Sequence, residues 1–262
     1  MNFETIKTEE VGSTFVITLN RYEARNAMSS QMMAEMCDAL DYWDTNDNLR
    51  ACVITNVGRV FCAGADLKEI SQGCWNLPED KQDWGFAGMT KRWFDKPLIA
   101  AVHGKALGGG LEMVLACDLA VASEDALFGF PEPRVGLTAA GGGALLRVAQ
   151  QIPAKFANEL VLLAEPISAE KALEWGIINR IVADEDVLST ALELADKIAL
   201  GAPLAIKYSK KTMAETMSES TVYPSHGWEI LEEYEKITKN SEDAHEGSTA
   251  FAEKRAPQWQ GR

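Results

Sequence analysis

"LIAAVHGKALGGGLEMVLACDLAVAS" (98–123) is the stretch that decides the architecture. "LIAAVHG" reads as an apolar strand ended by a glycine. Three glycines at 108–110 follow, and "LEMVLACDLAVAS" (111–123) begins as a helix and gives way to a strand near Asp118. Strand, glycine turn, helix and strand in succession belong to an α/β chain with crossover connections.

The segments on either side keep that rhythm. "TFVITL" (14–19) and "RACVITN" (50–56) are strands rich in β-branched residues. Between them, Met32, Met33, Met36, Cys37, Leu40 and Trp43 recur at three- and four-residue steps after Ser29-Ser30, which predicts an amphipathic helix with a serine N-cap. "SAEKALEWG" (168–176) has a Ser start and a Gly stop, and "IINRIV" (177–182) is strand-like. From 186 to 253 the pattern is helical, with breaks at Gly201-Ala202-Pro203 and near Pro224. This predicts an α/β core over 1–195 and a helical section over 196–262. One long irregular stretch, "ISQGCWNLPEDKQDWGFAGM" (70–89), interrupts the core, and loops of that length usually serve function or motion.

Composition narrows the classes. The 262 residues carry a net charge of −14, which disfavours nucleic acid or an anionic membrane as a partner. Cys37, Cys52, Cys62, Cys74 and Cys117 are scattered without a C-x-x-C, and "MNFETIKTEEVG" lacks a signal-peptide core; both point to reduced thiols in a cytoplasmic protein. Lys105, Glu112 and Asp118 interrupt the most apolar stretch, 98–122, which is too polar to span a membrane.

Several chemistries fail on spacing. The glycine run does not extend to G-x-G-x-x-G, because Met113 holds the last position, and Gly104-Lys105 lacks the Ser/Thr of a phosphate loop. His103, His226 and His245 show no ligand spacing, so no metal is expected. No G-x-S-x-G is present, and His103, at a strand end, reads as a histidine satisfied by local hydrogen bonds.

Two glutamates stand out. Glu112 lies in the first turn of a helix among apolar neighbours; the macrodipole alone accounts for a carboxylate there. Glu132 lies between two prolines in "FGFPEPRVG", where a solvated loop residue is the plainer reading. Charged residues in apolar surroundings are usually paired or used, and together these two suggest an acid/base pair. Glycine-exposed amides supply a complement. The turn at 108–110 and a second one, Gly64-Ala65-Asp66 in "FCAGADLKEI" (61–70), can aim two N–H groups at one oxygen. Such a pair stabilises an oxyanion, for instance a thioester enolate. Trp75, Trp84, Phe86 and Met89 are candidates for the border of a substrate pocket, or for ordinary core packing.

"FCAGADLKEI", "IAAVHGKALGGGLEMVLACDLAVA", "FGFPEPRVGLTAAGGGALLR", "AEKALEWGIINRIV" and "SEDAHEGSTAFAEKRAPQWQGR" together resemble the crotonase (enoyl-CoA hydratase/isomerase) family, nearly end to end. The resemblance implies a spiral of ββα units followed by a helical C-terminal trimerisation region, and a homotrimer or homohexamer. It implies an acyl-CoA thioester substrate, with CoA as part of the substrate and no separate cofactor. By position, the oxyanion-hole donors fall on the amides of Ala65 and Gly109, and the two catalytic carboxylates of hydratases on Glu112 and Glu132. The positions near CoA fall on Ala24, Arg25, Ala63, Asp66, Leu67 and Lys68, with Phe251 and Lys254 reaching a CoA from the C-terminal signature. Holding both glutamates favours hydration of a 2-enoyl-CoA over isomerisation, hydrolysis or decarboxylation. There are departures: Tyr22-Glu23 replaces a common Pro-Lys, with Arg25 placed to compensate, and Ala140 stands where some members carry Asp. "GFAGMT" (85–90) resembles the same part of carnitinyl-CoA dehydratases, although those often carry that Asp.

Overall fold

A computed structural model describes residues 3–262. The chain divides into two compact units, Met1–Ala195 and Asp196–Arg262. Ten strands are formed among the described residues: β1 (Ile6–Val11), β2 (Thr14–Leu19), β3 (Ala51–Asn56), β4 (Val60–Cys62), β5 (Leu98–Val102), β6 (Lys105–Leu107), β7 (Leu119–Ser123), β8 (Leu127–Gly129), β9 (Ile167–Ser168) and β10 (Arg180–Val182). The helices of the first unit are α1 (Ser30–Thr45), α2 (Leu67–Ser71), α3 (Gly109–Ala116), α4 (Ala144–Gln151), α5 (Ala154–Leu162) and α6 (Ala169–Glu174).

The strands fall into two sheets, ordered β1-β2-β3-β5-β7-β10 and β4-β6-β8-β9. Within the larger sheet only the β1–β2 pair is antiparallel; β2–β3, β3–β5, β5–β7 and β7–β10 are parallel. The chain visits the sheets alternately. β3, β4 and α2 make one turn, β5, β6 and α3 the next, and β7, β8 and α4 a third. That is the ββα spiral. Each turn delivers a strand of the smaller sheet into a helix start, so the tips after β4 and β6 lie side by side.

Local physics explains the main elements. β3 and β5 are buried along their whole length, as parallel strands covered on both faces must be. α1 is capped by Ser29, whose hydroxyl accepts from the Met32 amide at 3.2 Å, and it buries Met32, Met33, Met36, Cys37, Leu40 and Trp43. The strand expected over 177–182 is shorter. The amides of Ile177 and Ile178 turn back to the Ala172 carbonyl to close α6, so pairing with β7 begins only at Asn179.

The irregular stretch is anchored. It holds two 3-10 turns, Glu79–Trp84 and Phe86–Gly88. Gly88 packs so tightly on α1 that a Cβ there would lie 2.5 Å from the Cys37 sulfur. Lys81 and Arg92 pair with Asp41, and Arg92 also with Asp44 at 2.8 Å.

The boundary between the units falls in the last turn of α7 (Val187–Ala199), and the second unit contains α8 (Pro203–Glu215), α9 (His226–Lys239) and α10 (Glu242–Glu253). Tyr208 and Tyr234 join α8 to α9, with ring centroids 5.1 Å apart. Buried Asp243 accepts from the Gln260 and Gly261 amides and so holds the C-terminal tail. No helix among the described residues is long and apolar enough to cross a membrane.

Candidate active site

The glycine run is packed on three sides. Gly108 has φ +56°, and a Cβ on it would lie 2.7 Å from Glu132 Oε1. A Cβ on Gly109 would lie 2.4 Å from Cζ of Phe86, and one on Gly110 would lie 2.1 Å from the Cys62 carbonyl oxygen at the end of β4. The residues are glycine because a carboxylate, a ring and a neighbouring backbone each approach within less than a side chain's reach.

The second turn abuts the first. A Cβ on Gly64 would be 3.3 Å from the Gly109 nitrogen. Met28 bridges the turn by donating to the Gly64 carbonyl (2.8 Å) and accepting from the Asp66 amide (3.0 Å), which leaves the Ala65 N–H outside the pairing. Gly109 opens α3, so its N–H has no acceptor within the helix. Two amides without an acceptor in their own elements thus lie in adjacent turns.

Both glutamates come to the same place. Glu112, 3% exposed, offers Oε1 to the amides of Gly142 (2.8 Å) and Ala144 (3.3 Å). Glu132 sits in a 3-10 turn after β8, beside Gly108, and its buried Oε2 has no hydrogen-bond partner among the described residues. Burial pushes the Glu132 carboxyl above the ordinary range, and the Glu112 charge adds to the rise. Glu132 is thus not the solvated loop carboxylate of the plainer reading, and Glu112 lies in the first turn of α3 but is buried.

The raised value has a consequence for stability. A carboxyl whose folded pKa lies above its unfolded one contributes stability that is complete below about pH 4 and is lost as pH rises through the folded pKa. Glu132→Gln removes that dependence. The Tm of wild type should therefore fall relative to that of Glu132→Gln as pH rises from about 4 to 8. A constant difference would mean that the carboxyl is not held neutral.

The positions near CoA are partly gathered. The Arg25 carbonyl accepts from the Ala63 amide at 3.2 Å, which joins Ala24-Arg25 to the turn before α2, while Leu67 and Lys68 are exposed on α2. Asp66 is different: it is 6% exposed, pairs with Arg21 at 2.8 Å and caps α2 through the Lys68 and Glu69 amides. Its carboxylate shapes the turn from within. Phe251 and Lys254 belong to the second unit, with Phe251 87% exposed.

Of the pocket candidates, Phe86 lies against Gly109 and stacks on Trp75 with centroids 6.3 Å apart; Met89 is buried. Trp84 is already engaged, with Lys81 and Arg92 each 4.0 Å from its ring. His103 is a structural side chain, its Nδ1 2.8 Å from Asp184. Among the described residues no group of three or more His, Cys, Asp or Glu side chains is placed to hold a metal ion. Sequence reasoning missed Gly142 and Ala144, whose amides hold Glu112, and Arg147, which holds Gly142; the glycine run "GGG" at 141–143 was the available signal.

The profile of the enoyl-CoA hydratase/isomerase family matches residues 9–262. The chain belongs to the enoyl-CoA hydratase/isomerase family. It is 39% identical to a carnitinyl-CoA dehydratase of Proteus mirabilis over 256 residues, 96% of each chain. It is equally 39% identical to the enoyl-CoA hydratase EchA19 of Mycobacterium tuberculosis, across 97% of this chain and 96% of the relative. The crystal structure of an enoyl-CoA hydratase from Mycobacterium tuberculosis superposes with a TM-score of 0.89 at 38% identity, covering 98% of this chain and 99% of that one. The two-sheet spiral is thus the fold of the family.

Proposed function

We propose that the protein is an enoyl-CoA hydratase, adding water reversibly and syn across the C2=C3 bond of a 2-enoyl-CoA thioester. The observation that carries this reading is the pair of buried carboxylates, Glu112 clamped by amides and Glu132 with an unpartnered oxygen, beside two free N–H groups.

The thioester oxygen takes the Ala65 and Gly109 N–H groups, which stabilise the negative charge that gathers on it as C3 is attacked. Two amides fix Glu112 Oε1 as an acceptor, leaving Oε2 to take a proton from water. The water oxygen forms its bond to C3, the π electrons move towards the thioester, and C2 takes a proton as the enolate collapses. Glu132, whose pKa burial raises, supplies that proton from its neutral form, and the cycle closes when the proton taken up by Glu112 passes to Glu132.

Ala24, Arg25, Ala63, Leu67 and Lys68 form the CoA-facing edge in this reading, with Asp66 setting the turn. Phe251 and Lys254 are assigned to a CoA by the family resemblance, one held by a neighbouring subunit included. A homotrimer or a dimer of trimers is the expected assembly; exposed Leu145, Leu146, Leu162 and Leu163 on α4 and α5 support burial between copies. None of the five cysteines is in a disulfide, which supports a cytoplasmic location.

Carnitinyl-CoA dehydratase activity is a second reading, favoured by a relative of that name at the same identity as the hydratase. A trimethylammonium cage would have to do without Trp84, because two cations already occupy its surroundings. A spectrophotometric screen of enoyl-CoA esters from crotonyl to long-chain, with crotonobetainyl-CoA included, separates the two. Loss of enoyl absorbance without release of CoA is expected. Release of free CoA or carbon dioxide, or a shift of the double bond without water uptake, overturns the proposal.

A further inference from the structure

Arg147 lies on α4, half-buried, next to the site yet outside the chemistry described so far. Its Nη1 donates to the Gly142 carbonyl at 2.8 Å and its Nη2 donates to the Thr90 carbonyl. Gly142 is therefore held from both ends: its N–H donates to Glu112 Oε1 and its C=O accepts from Arg147. No side chain fits between these groups. A Cβ on Gly142 would lie 2.5 Å from Glu112 Oε2, and one on Gly143 would lie 3.0 Å from Arg147 Nη1. Thr90 ends the segment whose Phe86 ring rests on Gly109.

We propose that Arg147 is a positioning residue for hydration: its guanidinium joins the loop that clamps Glu112 to the segment that covers Gly109. This rests on the reading of Glu112 as the water-activating carboxylate. A half-buried guanidinium that donates to two backbone carbonyls gains little unless the span it fixes matters. Arg147 reaches its two carbonyls through two different nitrogens of a rigid planar fork, whereas a lysine at 147 would offer one nitrogen on a flexible stem. Burial holds the Arg147 guanidinium below its ordinary range, and the nearby Glu112 charge opposes that shift. A displacement of about 1 Å in such a support can cost about 10²-fold in rate.

The test compares wild type, Arg147→Met and Arg147→Lys on the best substrate of the enoyl-CoA screen, with circular dichroism and Tm to select folded protein. The Met variant should lose about 10²-fold in kcat, with KM changed by less than about threefold, because the CoA-facing edge is untouched. Lysine should restore only part of the loss. Millimolar guanidinium ion should raise kcat in Arg147→Ala and not in wild type. In a Glu112→Gln background, Arg147→Met should slow turnover no further. A folded Met or Lys variant with wild-type kcat overturns the proposal, as does a loss that is additive with Glu112→Gln or indifferent to guanidinium. Should Glu112→Gln itself turn over at the wild-type rate, the reading of the site fails first. If Glu112→Gln is slow and Arg147→Met is not, only the role of Arg147 is lost.

Discussion

Glu112→Gln and Glu132→Gln should each lower enoyl-CoA hydration by about 10²–10⁴-fold while leaving affinity for the CoA ester within a few-fold of wild type. Glutamine is the informative replacement because it keeps shape and removes only proton chemistry. At 112 its side-chain oxygen can still accept from the Gly142 and Ala144 amides, so the loop over the site stays in place. At 132 the amide is neutral, so it brings no charge into a setting that already raises the pKa of the acid. Loss of activity with an unchanged Tm therefore reports on catalysis. The double variant should be little slower than the slower single one, since two groups that handle one water act as a unit. Wild-type turnover in either folded single variant would remove that residue from the mechanism.

The elements that organise the spiral were legible because burial imposes a pattern on the sequence. β2, β3 and β5 are apolar runs, and α1 repeats its buried residues at helical spacing. β1 was not legible: "IKTEEV" is an edge strand with only Ile6 buried, so its sequence answers mostly to solvent. The smaller sheet was invisible for another reason. Strands of two or three residues, such as β4 and β9, are shorter than any period.

The site divides in the same way. The two free amides and the two carboxylates were readable from glycine turns and from charges in apolar settings. The reason for the glycines was only half readable, since Gly109 and Gly110 answer to Phe86 and the Cys62 carbonyl as well as to any substrate. Asp66, placed near CoA by the resemblance, is also a buried cap paired with Arg21, a role that leaves no mark in the local sequence. Arg147 follows the exposed Leu146 on an amphipathic helix and reads as a surface charge. What it holds, the Thr90 carbonyl 57 residues away, leaves no local trace.

Gly109→Ala should lower kcat by about 10²–10³-fold, the cost of losing one oxyanion-hole donor. Alanine suits the first turn of a helix, and Gly109 does not need a left-handed backbone, so strain in the chain is not the cause. The methyl group is. Three ring atoms of Phe86 would lie at 2.4, 2.7 and 2.8 Å from it. The ring is 5% exposed and stacked on Trp75, which leaves it little room to swing away. The first turn of α3 has to give, and the Gly109 N–H leaves the line it shares with Ala65. Phe86→Leu provides the control, because leucine lacks the outer ring atoms that the methyl group strikes and keeps much of the volume. Gly109→Ala combined with Phe86→Leu should regain most of the rate of Phe86→Leu alone. KM for the CoA ester should change little throughout, since the donor acts on charge that develops after binding. If the double variant is as slow as Gly109→Ala, the ring is not what displaces the amide; if Gly109→Ala alone keeps the wild-type rate, the amide is not an oxyanion donor.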